Sequence, residues 1–148
     1  MKGCPNMKVF QNIHELIGET PMMEITHFPL PDEVRIFAKL EYFNPGGSVK
    51  DRLGQELLAK ALQTGKVKKG GTIIEPTAGN TGIGLALAAI NSGVDVIFCV
   101  PEKFSAEKQE LMRALGANVI QTPTEEGMTG AISKAKALLA EIPGSYCP

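Results

Sequence analysis

Lys50 stands in a setting that invites chemistry. It belongs to the stretch Asn44-Pro45-Gly46-Gly47-Ser48-Val49-Lys50-Asp51-Arg52, between an extended apolar segment at 35–40 and a helical one running on from Val49. Proline fixes φ and glycine tolerates positive φ, so Pro45, Gly46 and Gly47 predict a tight turn. Ser48 falls where a helix N-cap belongs, its hydroxyl able to satisfy an orphan backbone N–H. Lys50 then sits in the first helical turn, where the macrodipole disfavours a cation. A nearby anion would remove that cost, and so would an amine tied covalently to a carbonyl carbon.

The second stretch with chemical potential is Glu75-Pro76-Thr77-Ala78-Gly79-Asn80-Thr81-Gly82-Ile83-Gly84. It leaves the carboxyl end of an expected strand and opens a helix, the place where parallel α/β sheets bind ligands. Free N–H groups at a helix start attract anions, Gly79 permits close approach, and Thr77, Asn80 and Thr81 add donors. A carboxylate or phosphate suits such a loop; an ordinary cap and turn uses the same residue types. Two nucleotide motifs fit poorly. The 46–51 run lacks the spacing and the closing Gly-Lys-Ser/Thr of a P-loop. The dinucleotide fingerprint is matched only at Gly82 and Gly84, with Leu87 in the third place and Glu102 where a ribose-binding acid would fall. Both glycines lie inside the predicted helix, which points to close helix packing, and nucleotide binding stays as an alternative.

The elements that must position these loops follow from periodicity. Asn12 caps a short helix over 13–17, stopped by Gly18, and 20–25 is extended. Val34, Ile36, Ala38 and Leu40 alternate with polar or aromatic residues, as in a strand near a sheet edge. Val49, Leu53, Leu57 and Ala61 recur at helical spacing up to Gly65. Strands at 72–75, 94–100 and 117–121 then alternate with helices at 81–91, 105–115 and 128–142. The first of these helices is apolar on nearly every face; the last carries Ile132, Ala135 and Leu139 as its expected buried stripe. Three successive β–α units predict an α/β fold, a parallel sheet with right-handed crossovers and helices on both faces. The final stretch, 143–148, reads as a loop leading onward, with nothing that docks or caps.

Composition narrows the functional classes. Across 148 residues, fifteen basic and sixteen acidic side chains nearly cancel, so nothing favours nucleic acid or an anionic membrane. No apolar run reaches the length of a membrane span, and no secretion signal is visible at the start, so a cytoplasmic setting is expected. Cys4, Cys99 and Cys147 are three widely spaced cysteines, which argues against both a disulfide scaffold and a metal site. Cys99 is expected to be a small core hydrophobe. His14 and His27 are expected at the surface, and Lys66, Lys68 and Lys69 in a solvated turn.

Both loops carry a resemblance. The 44–52 stretch resembles the cofactor-lysine segment of the cysteine synthase and cystathionine β-synthase family, pyridoxal-phosphate enzymes of the tryptophan-synthase-β fold type. The 75–82 stretch is similar to the same family's substrate loop. The likeness continues through Val100-Pro101-Glu102-Lys103, Leu115-Gly116-Ala117 and Thr124-Glu125-Glu126-Gly127-Met128, and covers nearly everything from about Ile13. It implies that Lys50 holds pyridoxal 5′-phosphate covalently and, once released, removes the substrate's α-proton. It implies that Thr77, Gly79 and Thr81, with Ala78 in the same loop, receive the substrate carboxylate, and that Asn80 meets the cofactor's ring oxygen. The implied reaction is β-replacement on O-acetylserine or serine by a thiol such as homocysteine, or by sulfide.

Two departures qualify what the resemblance implies. Most relatives carry Ser where this chain has Ala78. The loop with Ala resembles bacterial cystathionine β-synthases that use O-acetylserine, and is expected to favour a bulkier thiol over sulfide. Full members of the family are about twice as long, and their phosphate-cradling Gly/Thr-rich loop is expected beyond Pro148. Residues 1–40 are therefore expected to be a leader and a segment crossing to a larger domain, and 41–148 a small α/β domain carrying the cofactor lysine. The chain is expected to self-associate as a dimer or pair with the missing half, and alone to show little lyase activity. A non-catalytic interaction module of the same ancestry is the other alternative.

Overall fold

The computed structural model describes residues 8–148; the start of the expected leader and Cys4 lie outside the described residues. From Asn12 the chain makes a 3-10 turn, Ile13–Leu16, closed by a reciprocal cap between Asn12 and Glu15 and ended at Gly18, which has φ +92°. Strands β1 (Met22–Ile25) and β2 (Ile36–Lys39) pair as an antiparallel hairpin, Met23 facing Ala38 and Glu24 facing Phe37. Helix α1 (Lys50–Gln63) follows, then β3 (Thr72–Pro76), α2 (Asn80–Ala89), β4 (Asp95–Pro101), α3 (Ala106–Ala114), β5 (Asn118–Thr122) and α4 (Gly127–Glu141).

β3, β4 and β5 lie side by side in that order and run parallel, as the repeated β–α pattern predicts. Alternation along each strand sends side chains to opposite faces. Ile73, Val96, Phe98 and Val100 join Leu85 of α2, Met112 of α3 and Leu58 and Ala61 of α1 in one core. Ile74 and Cys99 meet Ala131, Ala135 and Leu138 of α4 in the other. Helices thus cover both faces of the sheet. Cys99 is fully buried, the small hydrophobe that its strand position predicts.

The backbones of α1 and α2 pack in direct contact. A Cβ on Gly54 would overlap the backbone of Gly84, and a Cβ on Gly84 would overlap the carbonyl of Lys50. Neither obstacle is a flexible side chain, so only glycine lets the two backbones touch. Each glycine costs its helix about 1 kcal/mol relative to alanine, and the contact they permit fixes where α1 begins relative to α2. Gly82 and Gly84 are therefore packing glycines inside α2, not the turn glycines of a dinucleotide site.

Four expectations need correction. The buried face of α1 is Asp51, Gly54, Leu58 and Ala61, while Val49 and Leu53 are exposed. The Gly54 contact pulls the helix in by its backbone, and the hydrophobic stripe is one residue out of phase. In α4 the buried residues are Gly130, Ala131, Ala135 and Leu138, and Ile132 is exposed, for the same reason of small residues at the contact. His14 is half-buried, its Nε2 lying 2.8 Å from the carbonyl oxygen of Leu87 at the end of α2. Finally, the last residues do dock: Tyr146 bridges Ile73 in parallel on the free edge of β3, with Tyr146 N–H donating to Thr72 O and Ile74 N–H to Tyr146 O, both at 2.9 Å.

Candidate active site

The 44–52 turn is built from both sides. Gly47 takes φ +77°, a left-handed conformation that suits glycine. Gly46 is needed for space, since a Cβ there would run into the carboxylate of Asp51. That carboxylate, fully buried, folds back under the turn and accepts the Gly46 N–H at 2.5 Å through Oδ2. Its other oxygen, Oδ1, is buried without a partner among the described residues. Burial raises the Asp51 carboxyl above its ordinary pKa, with the Gly46 N–H opposing. The Ser48 hydroxyl accepts from Lys50 N–H at 3.1 Å, so Ser48 serves the cap role expected of it although Val49 is the residue adjoining the helix.

A second set of contacts clamps the turn from outside. Asn44 is buried; its amide donates to the Glu41 side chain at 2.9 Å and its Oδ1 accepts from Gly18 N–H at 2.8 Å. Arg52 donates to both Glu41 oxygens, at 2.9 and 3.2 Å, and to the Thr20 hydroxyl at 3.2 Å. The Arg52 guanidinium, then the Thr20 hydroxyl, hold the Glu41 carboxyl well below the usual carboxylate range. Lys50 itself takes no part: among the described residues its side chain has no ion pair and no hydrogen bond. Everything around the amine is tied, and the amine is left over.

The 77–81 loop is held less. Thr77 N–H donates to Cys99 O at 3.1 Å, which aligns the loop with the end of β4. Thr77 is only 5% exposed, its methyl turned against Gly82, and its hydroxyl has no partner among the described residues. The backbone N–H groups of residues 78–81 likewise find no acceptor among the described residues, while Gly79 O takes up the N–H groups of Gly82 and Ile83. The amides of Asn80 and Thr81 are orphan donors of α2, and those of Ala78 and Gly79 precede it. The two loops are neighbours by construction. Lys50 O touches Gly84, which lies one helical turn, about 6 Å of rise, beyond Asn80. A hollow of about 330 Å³, lined by Ala89, Val94, Leu115 and Gly116 among others, lies away from both loops at the start of β4.

A family model described as pyridoxal-phosphate dependent enzyme matches residues 13–148, nearly the whole chain. The chain belongs to this family. Among curated family members, the O-acetylserine dependent cystathionine beta-synthase of Bacillus subtilis (strain 168) is 59% identical over 141 residues, which are 95% of this chain and 46% of that protein. The crystal structure of cystathionine beta-synthase from Bacillus anthracis superposes with TM-score 0.80 at 70% identity, over 96% of this chain and 54% of that one. The crystal structure of O-acetylserine dependent cystathionine beta-synthase from Helicobacter pylori gives TM-score 0.89 at 56% identity, over 96% and 47%. The chain spans about half the length of the family members it matches.

Of the site residues expected from sequence, Lys50 opens α1, Asn80 and Thr81 open α2, and Thr77, Ala78 and Gly79 form the loop between β3 and α2. Sequence reasoning missed four others. Asp51 and the Glu41–Arg52 pair are the supports of the lysine turn; the acid at 51, spaced three and seven residues before Gly54 and Leu58, is a charge on a buried helix face and was the available signal. Lys108, in the first turn of α3, brings its Nζ to 3.6 Å from where a Cβ on Gly79 would lie. Nothing in the sequence links 108 to 79, because the contact crosses a helix and a strand. The structure offers no group of three or more metal-ligating side chains among the described residues, and no helix there is long and apolar enough to cross a membrane.

Proposed function

We propose that this chain forms the lysine-bearing part of a pyridoxal-phosphate dependent β-replacement enzyme, acting on O-acetylserine or serine with a thiol such as homocysteine or with sulfide. The observation that carries the reading is an unengaged Lys50 amine on a residue whose backbone carbonyl touches α2 at Gly84, one helical turn from a loop of unengaged donors. The residues suit the cofactor: Lys50 to hold its carbonyl carbon, Asn80 beside its ring oxygen. When bound, pyridoxal phosphate supplies an electron-accepting ring for the pair left behind as the α-proton departs.

The remaining work falls to the chain itself. The N–H groups of residues 78–81 and the Thr77 and Thr81 hydroxyls orient the amino acid by its carboxylate at the positive end of α2. Ala78 lies in the wall of that loop. The Lys50 amine would be the base that takes the proton from the substrate's α-carbon. The Asp51–Gly46 and Arg52–Glu41–Asn44 contacts keep that amine aimed.

The hairpin supports a further part of the reading. Met22, Met23, Phe28, Ile36 and Phe37 of the hairpin region are 39–63% exposed, and two strands alone make a marginal sheet. We propose that residues up to about 40 pack against a second, larger half of the enzyme, which completes the site over residues 41–148, and that the whole acts as a homodimer in the cytoplasm. The test of the lysine is chemical. Incubation with pyridoxal phosphate, borohydride reduction and peptide mass spectrometry is expected to label Lys50 ahead of every other lysine, and Lys50→Ala to abolish that label. Label spread evenly over surface lysines would overturn the reading.

A further inference from the structure

The fold delivers a cation, Lys108, to the 77–81 loop. Its Nζ lies 3.6 Å from the position a Cβ on Gly79 would occupy, and among the described residues it makes no ion pair. It belongs to the first turn of α3, where its own N–H donates to the Ser105 hydroxyl at 3.3 Å. A positive side chain at a helix start opposes the macrodipole, so the position is unfavourable unless a negative group shares it. Thr77, in the same loop, is 5% exposed, and its hydroxyl makes no hydrogen bond among the described residues. An unpaired ammonium beside four free amides and an unpartnered hydroxyl makes a set of donors that lacks only its acceptor.

We propose that Lys108 supplies the positive charge of this loop, binding the carboxylate of the amino-acid substrate from the side opposite the amides of α2. This rests on the reading of the 77–81 loop given above and adds a residue to it. The amides alone orient a carboxylate but carry only the partial charge of a helix end. An ammonium beside Gly79 adds a full charge with donors free to follow the ligand.

The test uses the isotopically labelled chain and two small probes, L-serine and its decarboxylated counterpart ethanolamine. In the parent chain, serine is expected to shift the amide signals of residues 78–81 saturably, and ethanolamine to leave them in place. Lys108→Gln is expected to weaken serine binding about fivefold, the scale of one partly exposed charge pair, and Lys108→Arg to restore most of it. Added salt is expected to weaken serine binding to the parent more than to Lys108→Gln. An otherwise unchanged spectrum reports an intact fold in each variant. Equal serine affinity in the parent and Lys108→Gln would overturn the role of Lys108 and leave the loop reading standing. Serine leaving those amides unmoved in every protein would remove the carboxylate site and this proposal together.

Discussion

In the 44–52 turn almost every polar group has a partner. Asn44, Gly46, Ser48, Asp51 and Arg52 all make contacts that fix the backbone around Lys50. In the 77–81 loop the amides of four successive residues are left without acceptors among the described residues. Both loops open a helix and both are glycine-bearing, so the contrast does not come from secondary structure. On the function proposed above, it comes from what each would do. A nucleophilic amine is useful only if aimed, and aiming requires that its supports be rigid and self-satisfied. A ligand loop is useful only if its donors are still free when the ligand arrives. The glycines divide along the same line: Gly46, Gly54 and Gly84 are packed against neighbours, whereas Gly79 has only a mobile lysine end nearby.

The register between the two loops is set by Gly54 and Gly84, and breaking it should have the largest effect. Gly84→Val places a branched side chain where the Lys50 carbonyl stands, with no flexible group to yield. Overpacking against backbone is expected to cost about 3 kcal/mol or more, seen as a lower denaturant midpoint. Any chain that still folds should lose preferential labelling of Lys50, because α1 is displaced from α2. Retained stability and labelling would mean that the loops are not registered by this contact.

Asp51 tests the self-satisfied turn from within. Its carboxyl titrates higher in the folded chain than in the unfolded one, because burial disfavours the charge. The folded form therefore holds its proton more tightly. Stability from this group is complete below the unfolded pKa and is lost as pH rises through the folded one. Asp51→Asn keeps an acceptor for Gly46 N–H and cannot ionise, so it is expected to flatten that part of the stability–pH profile. Asp51→Ala removes the acceptor and is expected to cost about 2 kcal/mol at any pH. Thermal unfolding of the parent and the two variants, from the acid end of the carboxylate range to neutrality, checks both. Identical slopes for the parent and the Asp51→Asn variant would show the carboxyl to be unperturbed.

The same contrast explains what could be foreseen. The place of the 77–81 loop is legible because its features are local: a strand end, a glycine and hydroxyl or amide residues before a helix all lie within ten positions. The sheet is legible because burial on both faces leaves continuous apolar runs such as 96–100. The faces of α1 and α4 are not, since small residues at the tightest contacts, Gly54, Gly130 and Ala131, carry almost no hydrophobic signal. The docking of Tyr146 on β3 and the approach of Lys108 to Gly79 join residues 73 and 29 positions apart, and no periodicity encodes such meetings. Asp51 has the look of a surface acid beside a lysine, yet its spacing with Gly54 and Leu58 puts it inside.

The smallest effect is expected at Ala78, the position where the open loop is made more open. Alanine here offers neither donor nor bulk, and residue 78 is half-buried at the rim of the loop. A serine hydroxyl at this point would add one donor to the free set and one oxygen atom to the space that the incoming thiol must cross. A single neutral hydrogen bond contributes about 1 kcal/mol, a factor of about five. In the complete enzyme, Ala78→Ser is therefore expected to shift the ratio of homocysteine to sulfide use about fivefold towards sulfide, with stability unchanged. Because the hydroxyl is added to a loop whose donors are already unsatisfied, its effect should appear in the choice of nucleophile and not in folding. An unchanged ratio would mean that the thiol is selected by residues outside this loop, and the likeness of the Ala-bearing loop to cystathionine synthases would then carry no chemical consequence.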